Sequence, residues 1–361
     1  MDLSILYGDT QKDQDTIRTF KDGRLKPDCF CEFRLQALPA ACGVILVMLN
    51  RYHNYVVEQL ALINENGRFT KPKDEKLSPD EANKAWTKYD NDLFQTGRLI
   101  TCGLFINITL YDYLRTIVNL NRTNSTWCLD PRVKMGEHEK TPSGMGNQCS
   151  VEFNLAYRWH STISQQDEEW TEMTYEKLVG KSGEDASVQD LFAALGEYGR
   201  NLNPDPSKRT FAQMERQSDG KFPDEDLVEV LTDAVESVSG SFGARNVPKV
   251  LRAVEILGIE QARRWNVGSL NEFRKFFDLK PYKSFEEINS DPEVANRLRH
   301  LYEKPDYVEL YPGIVAEEAK DPMIPGVGIA PGYTVSRAVL SDAVALVRGD
   351  RFYTVCAVSM P

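Results

Sequence analysis

A chain of 361 residues with 41% hydrophobic and 27% charged side chains has the composition of a soluble globular protein and can bury a substantial core. Its formal charge of -11, with no basic stripe, excludes a nucleic-acid partner and disfavours an anionic membrane surface. The opening MDLSILYGDTQKD has neither a basic n-region nor a long apolar run, so the expectation is a protein without a secretory signal, cytoplasmic or peripheral to lipid bodies or membranes. Seven cysteines at scattered spacings (Cys29, Cys31, Cys42, Cys102, Cys128, Cys149 and Cys356) suit reduced thiols better than a disulfide framework. The sequons at Asn107, Asn121 and Asn124 would then be idle.

Helical periodicity is predicted over residues 43–63, 80–88, 93–120, 150–163, 187–198, 224–239, 247–257, 270–277, 292–302 and 336–347, with strands scarce. An all-α protein in one large domain follows. Residues 97–120 are apolar enough to raise the question of a membrane span. Arg98, Asn107, Asp112 and Arg115 interrupt them, so a buried helix is expected and no transmembrane segment. Pro and Gly punctuation at 130–146, 201–207 and 321–332 marks exposed connections, and the polar run 165–169 reads as a solvated face.

The run EFNLAYRWHSTIS, residues 152–164, carries the most chemistry. In one helix, Tyr157 and His160 are three residues apart and share a face, so both can reach a flat cofactor lying against it. An outward imidazole can bind a haem iron axially and a tyrosine beside it can exchange an electron with that haem. The plainer reading is a core helix with a hydrogen-bonded histidine. Of the other three histidines, His138 in GEHEK and His300 in NRLRHLYEK read as surface residues, and His53 in NRYHNYV as a packing or hydrogen-bonding residue.

EFNLAYRWH resembles the proximal-haem helix of the cyclooxygenase-type haem peroxidases. DLSILYGDTQKDQDTIRTFKDGRLKPDCF at 2–30, RYHNYVVEQLALINENGRF at 51–69, LFQTGRLITCGLFINITLYDYLRTIVNLN at 93–121, LNEFRKFFDLKPYKSFEEIN at 270–289, VELYPGIVAEEAK at 308–320 and SRAVLSDAVALVRGDRFYT at 336–354 resemble one branch of them. That branch is the dioxygenase domain of the fungal fatty-acid dioxygenases, the linoleate diol synthases and psi-producing oxygenases. The resemblance covers residues 2 to about 354 and leaves 355–361 as a divergent tail.

The resemblance implies a mainly helical haem peroxidase domain that uses haem b to oxygenate unsaturated C18 fatty acids, linoleate or oleate, with dioxygen, in oxylipin biosynthesis. It makes His160 the axial iron ligand and Tyr157 the radical that removes a hydrogen atom from the lipid. Asn271 would accept from the proximal imidazole, and Arg274 would pair with a haem propionate. Unaided, Asn271 reads as a helix N-cap and Arg274 as an exposed helix charge. Leu99, Leu104, Phe105, Ile106 and Ile108 would line the lipid channel, although each also reads as plain core. A homo-oligomer fits the family.

In the family the distal histidine, its helix and a calcium loop precede the segment with which this chain opens, and a P450-like domain follows its end. The expectation is therefore a dioxygenase domain truncated on its distal side, without the calcium loop or the P450-like domain. Two alternatives stay open: a non-catalytic haem-binding remnant, and a general peroxidase oxidising small donors.

Overall fold

A computed structural model describes residues 2–73, 77–117, 143–146, 149–320, 329 and 331–351. Among them there is no strand, only the isolated bridges Arg18–Leu25 and Ser269–Glu309. The all-α expectation holds. His138, Asn121, Asn124, Cys128, Cys356 and most of the connections at 130–146 and 321–332 lie outside the described residues.

The chain divides into two compact units, residues 1–108 with 195–236, and residues 109–194 with 237–361. In the first, helices Ala40–Ile63 and Pro79–Ile108 lie along one another. Their closest approach requires Gly97, where a Cβ would come within 2.5 Å of Val57 Cγ1. Around them gather Tyr7, Ile17, Phe30, Val47, Phe94, Phe211 and Phe222, an apolar cluster excluded from water. Asn64 ends the first of these helices in the left-handed conformation that Asn tolerates.

The periodicity at 80–88 and 93–120 belongs largely to one helix, Pro79–Ile108, extended by a π turn at Thr109–Tyr113 and the short helix Leu114–Ile117. It is buried along one side only. Leu93, Phe94 and Ile106 are inside, whereas Leu99, Ile100 and Ile108 face outward. Residues 79–113 are long and apolar enough to cross a membrane by length and composition, with 33% of the apolar window buried, so the expectation of a buried helix is only partly met. The connection at 201–207 was expected to be exposed, but it buries Pro206 and Ser207, because Asp205 caps a short 3-10 turn there and pairs with Lys26.

Polar pairs tie this unit together. Asp90 takes Arg18 at 2.7 Å and the Gly23 amide at 2.6 Å, and Asp28 takes Arg51 at 2.7 Å and the Phe222 amide at 2.8 Å. His53 is fully buried, as its packing role requires. Nε2 lies 2.9 Å from the Gly23 carbonyl and Nδ1 2.9 Å from the Tyr7 hydroxyl. A carbonyl can only accept, so Nε2 carries the proton and Nδ1 accepts from Tyr7.

Burial pushes the His53 pKa down to about 4. The unfolded chain takes up a proton near pH 6.5 that the folded chain refuses until about pH 4, so stability is intact above pH 6.5 and falls below it. The loss attributable to His53 is about 3 kcal/mol at pH 4, and denaturant midpoints measured across this range should show that slope, with His53→Gln removing it.

The second unit contains helices Val151–Ala156, Gln165–Val179, Arg252–Arg264, Leu270–Phe276, Pro292–Leu301, Leu310–Ala316 and Tyr333–Gly349. Leu155, Leu270, Ile288, Val308, Ile314, Val335 and Val339 are buried within it. The helix predicted at 247–257 starts and ends later, at Arg252–Arg264, after a 3-10 turn that begins behind Pro248. Proline restricts the residue before it and delays the helix start.

Candidate active site

Tyr157 and His160 do not share one helix. The helix that begins with Ser150, whose side chain caps the Phe153 amide, ends at Ala156, and Tyr157 is its C-cap residue. A separate 3-10 turn covers His160–Thr162. Between them Trp159 leaves helical geometry (φ -109, ψ 51), and its indole Nε1 donates to the Ala156 carbonyl at 2.7 Å. That bond satisfies one of the carbonyls orphaned at a helix end and so favours termination over another turn.

The His160 imidazole is held from one side. Its Nδ1 bonds to Glu255 Oε1, and the Tyr311 hydroxyl donates to the same oxygen at 2.8 Å while standing 3.3 Å from Nδ1. Glu255 comes from helix Arg252–Arg264 and Tyr311 from Leu310–Ala316. A carboxylate accepts, so Nδ1 donates and the neutral ring has an unprotonated Nε2. Nε2 makes no hydrogen bond among the described residues. An imidazole with one nitrogen bound to a carboxylate and the other open is the arrangement that metal-ligating histidines use.

Arg158 braces this wall by donating to Asn154 at 2.6 Å and Gln261 at 2.7 Å. Its guanidinium lies 5.8 Å from the Tyr311 ring centroid. Gly258 makes room, since a Cβ there would be 2.7 Å from the Tyr311 ring.

Tyr157 lies within an aromatic stack. Its ring centroid is 4.6 Å from Phe153 and 5.0 Å from Trp159, the latter nearly parallel at 18°. Tyr113 is also nearly parallel to Trp159, 6.3 Å from it at 13°. Burial raises the Tyr157 pKa, with Tyr113 and Asp342 adding to the effect, so the phenol is protonated throughout the neutral range. The Asp342 carboxyl is itself pushed up to about 6 by burial and by Glu152.

Asn271 and Arg274 are elsewhere. The Asn271 amide donates to the Tyr282 carbonyl at 2.9 Å and Asp306 at 2.8 Å, and accepts the Tyr282 amide at 2.8 Å. It is spent on fastening the 282 segment, and Glu255 holds the position next to His160 that the resemblance gave to Asn271. Arg274 is buried rather than turned to a ligand. It donates to Glu317 at 2.8 Å, Tyr282 at 2.9 Å, Thr334 at 2.7 Å and the Lys280 carbonyl at 2.9 Å. These bonds engage Nε and Nη1 and pair the guanidinium with the buried Glu317 carboxylate, so its charge is already matched within the protein.

The proposed channel residues do not converge. Leu99 and Ile108 are exposed and Leu104 is half-buried, while Phe105 packs on the apolar cluster of the first unit. Leu99 and Ile108 are nine positions apart, two and a half α-helical turns, and so project from opposite sides. Ile106 is buried, and none of the five lines the cleft of about 930 Å³ beside Ser161, which is walled by Glu168, Glu169, Glu172 and Glu184 with Lys249. Four carboxylates there would repel a fatty-acid carboxylate. His300 is exposed, as expected.

Two partners of the site were not anticipated. Glu255 lies 95 residues from His160 in sequence, on helix Arg252–Arg264. Tyr311 sits in the quoted segment VELYPGIVAEEAK, but neither spacing nor charge linked it to the histidine. No local pattern signals either contact.

Comparisons with known proteins establish the fold and the family. The animal haem peroxidase family model matches residues 39–357, and the chain belongs to that family. It is 74% identical to a linoleate 10R-lipoxygenase of Aspergillus fumigatus over 98% of this chain and 32% of that protein. It is 55% identical to a linoleate diol synthase of Gaeumannomyces graminis over 98% of this chain and 30% of that protein. The chain thus spans about a third of the length of these curated relatives. Among solved structures, a fatty acid alpha-dioxygenase of Arabidopsis thaliana has the same fold, with a TM-score of 0.58 and 16% identity, covering 97% of this chain and 55% of that one.

Proposed function

We propose that the chain oxygenates unsaturated C18 fatty acids, linoleate or oleate, to hydroperoxides with haem b and a Tyr157 radical, as a step in oxylipin biosynthesis. The observation that carries this is the His160 ring, with Nδ1 committed to Glu255 and Nε2 without a hydrogen bond among the described residues, three residues from an oxidisable, half-buried phenol. This donor set fits an axial haem ligand. Arg274 does not fit a propionate partner, so that role is not carried forward.

When bound, haem supplies the one-electron oxidising power. Glu255 and Tyr311 fix the ring plane of His160 and its tautomer. Tyr157 is kept as a neutral phenol by burial, and so gives up an electron and a proton together. Its phenoxyl oxygen would then take one hydrogen atom from a lipid carbon, restoring the phenol; dioxygen would add to the carbon radical, and the resulting peroxyl radical would take the hydrogen atom back from the phenol, giving the hydroperoxide and regenerating the phenoxyl. The 74% identity to a protein described as a linoleate lipoxygenase supports this choice of substrate.

The test is a haem titration followed by absorption. The parent should develop a Soret band that shifts with added ligand, and His160→Ala should lose it. Glu255→Gln should retain the band with affinity weakened about 10- to 100-fold, the usual effect of removing a partner of a metal-bound histidine. An unchanged Soret band in His160→Ala would remove the axial assignment and with it the proposed chemistry.

A further inference from the structure

The aromatic stack continues past the residues that the proposed reaction needs. Trp159 neighbours both Tyr157, at 5.0 Å, and Tyr113, at 6.3 Å, with both phenols close to parallel to the indole. Phe153 closes the opposite end at 4.6 Å from Tyr157. Phenylalanine is far harder to oxidise than tyrosine or tryptophan, so an electron hole placed on Tyr157 has one direction in which to move. That direction is outward, because the Tyr113 side chain is 38% exposed.

We propose that Tyr157, Trp159 and Tyr113 form a hole relay, and that Tyr113 is a second oxidation site, at the surface, for small neutral phenols. It uses the Tyr157 radical of the reading above, but its geometry is independent of haem. A peroxide-derived one-electron oxidant takes an electron from Tyr157, whose proton passes to a neighbouring base. Trp159 returns an electron to Tyr157, which regains a proton. The indole cation then takes an electron from Tyr113, whose phenolic proton goes to water. A phenolic donor at the surface gives Tyr113 one hydrogen atom and leaves as a phenoxyl radical. The sum is one electron and one proton from the donor, with all three side chains restored.

Three features fit relay rather than mere packing. The Trp159 Nε1–H is bonded to the Ala156 carbonyl, a poor base, so the oxidised indole keeps its proton and passes the hole on. Trp159 sits at the break between helix and 3-10 turn, where its ring contacts both phenols. Tyr113 ends the π turn Thr109–Tyr113, a departure from α geometry frequent at functional positions. The exposed Asp112 beside it disfavours acidic donors, so neutral phenols suit the outlet.

Pulse radiolysis of the haem-free chain tests this directly. Azide radicals oxidise tryptophan in preference to tyrosine, and the conversion of indolyl into tyrosyl absorption then reports intramolecular transfer. A spin trap followed by peptide mass spectrometry locates the final radical. The parent should show a concentration-independent transfer phase and a trapped adduct on Tyr113. Trp159→Phe should lose that phase and the adduct, and Tyr113→Phe should move the adduct to Tyr157 or Trp159.

Trp86→Phe, which removes the separate Trp86–Tyr89 ring pair, should leave Tyr113 labelling unchanged. An unlabelled Tyr113 in the parent, or full labelling in a Trp159→Phe chain with parental near-ultraviolet circular dichroism, would overturn the relay. Should Trp159→Phe fold poorly, Tyr113→Phe decides alone, since formation of the phenolic donor's radical at the parental rate in that chain refutes the surface site. Failure of haem uptake would instead remove the lipid reaction and leave this result standing.

Discussion

Arg274→Met is expected to cost about 3 to 5 kcal/mol of stability, the size typical of removing one partner from a buried ion pair. Glu317 would be left in the interior with its charge and without its cation. It is 2% exposed, and beyond Arg274 it accepts from the Tyr282 hydroxyl at 2.6 Å, the Thr334 amide at 3.0 Å and the Thr334 hydroxyl. Those dipoles soften the loss but do not replace a positive charge. The double variant Arg274→Met with Glu317→Gln should recover much of the stability, since a neutral amide can keep part of the network. Denaturant midpoints for the four proteins of this cycle give the coupling directly, and a near-zero coupling would show the pair to be dispensable.

Tyr157→Phe should abolish oxygen uptake with linoleate, a loss on the order of 10³-fold or more, because the hydroxyl that exchanges the electron has no substitute in the ring. Haem absorption should be unchanged, as the phenol touches neither Glu255 nor His160 in any hydrogen bond described above. Packing should change little too, since Phe keeps the contacts with Phe153 and Trp159. Parallel oxygen-electrode traces and Soret titrations separate these effects. Oxygenation persisting in Tyr157→Phe would transfer the radical role to another residue.

Much of the helical framework was legible in sequence, and the reasons are local. Helices at Ala40–Ile63, Asp224–Glu236, Leu270–Phe276 and Pro292–Leu301 lie within a few residues of their predicted bounds, because apolar periodicity and caps coincide there. Ser269 and Glu272 form a capping box, and Asp291 caps a helix with Pro at its start. Helix Gln165–Val179 was missed although Ser164, Asp167 and the left-handed Gly180 bracket it. Its first turns are so acidic that the apolar repeat is faint, and the cap signals were the better guide.

The site was legible to a lesser extent, because its geometry rests on pairs distant in sequence. His160 and Tyr157 were singled out by residue type and resemblance, yet the unbroken helix joining them was an error of period. An apolar run can carry a 3.6 repeat across a break when a side chain such as Trp159 satisfies the freed carbonyl. Arg274 was expected to pair with a haem propionate, and without the resemblance read as an exposed helix charge, yet it is among the most buried cations described. Nothing near it in sequence announces Glu317, 43 residues away.

The break at Trp159 also governs how the two key side chains can change. On one rigid helix, any tilt that moved the phenol would swing the imidazole with it. Here the imidazole is anchored through Glu255 and Tyr311, while the phenol is carried by the end of helix Val151–Ala156 and by its ring neighbours. The tyrosine can thus be re-aimed by substitutions around Phe153 or Tyr113 while the histidine stays registered. If the proposed chemistry holds, a lineage could in this way retune where on a long chain the hydrogen is taken without disturbing the histidine.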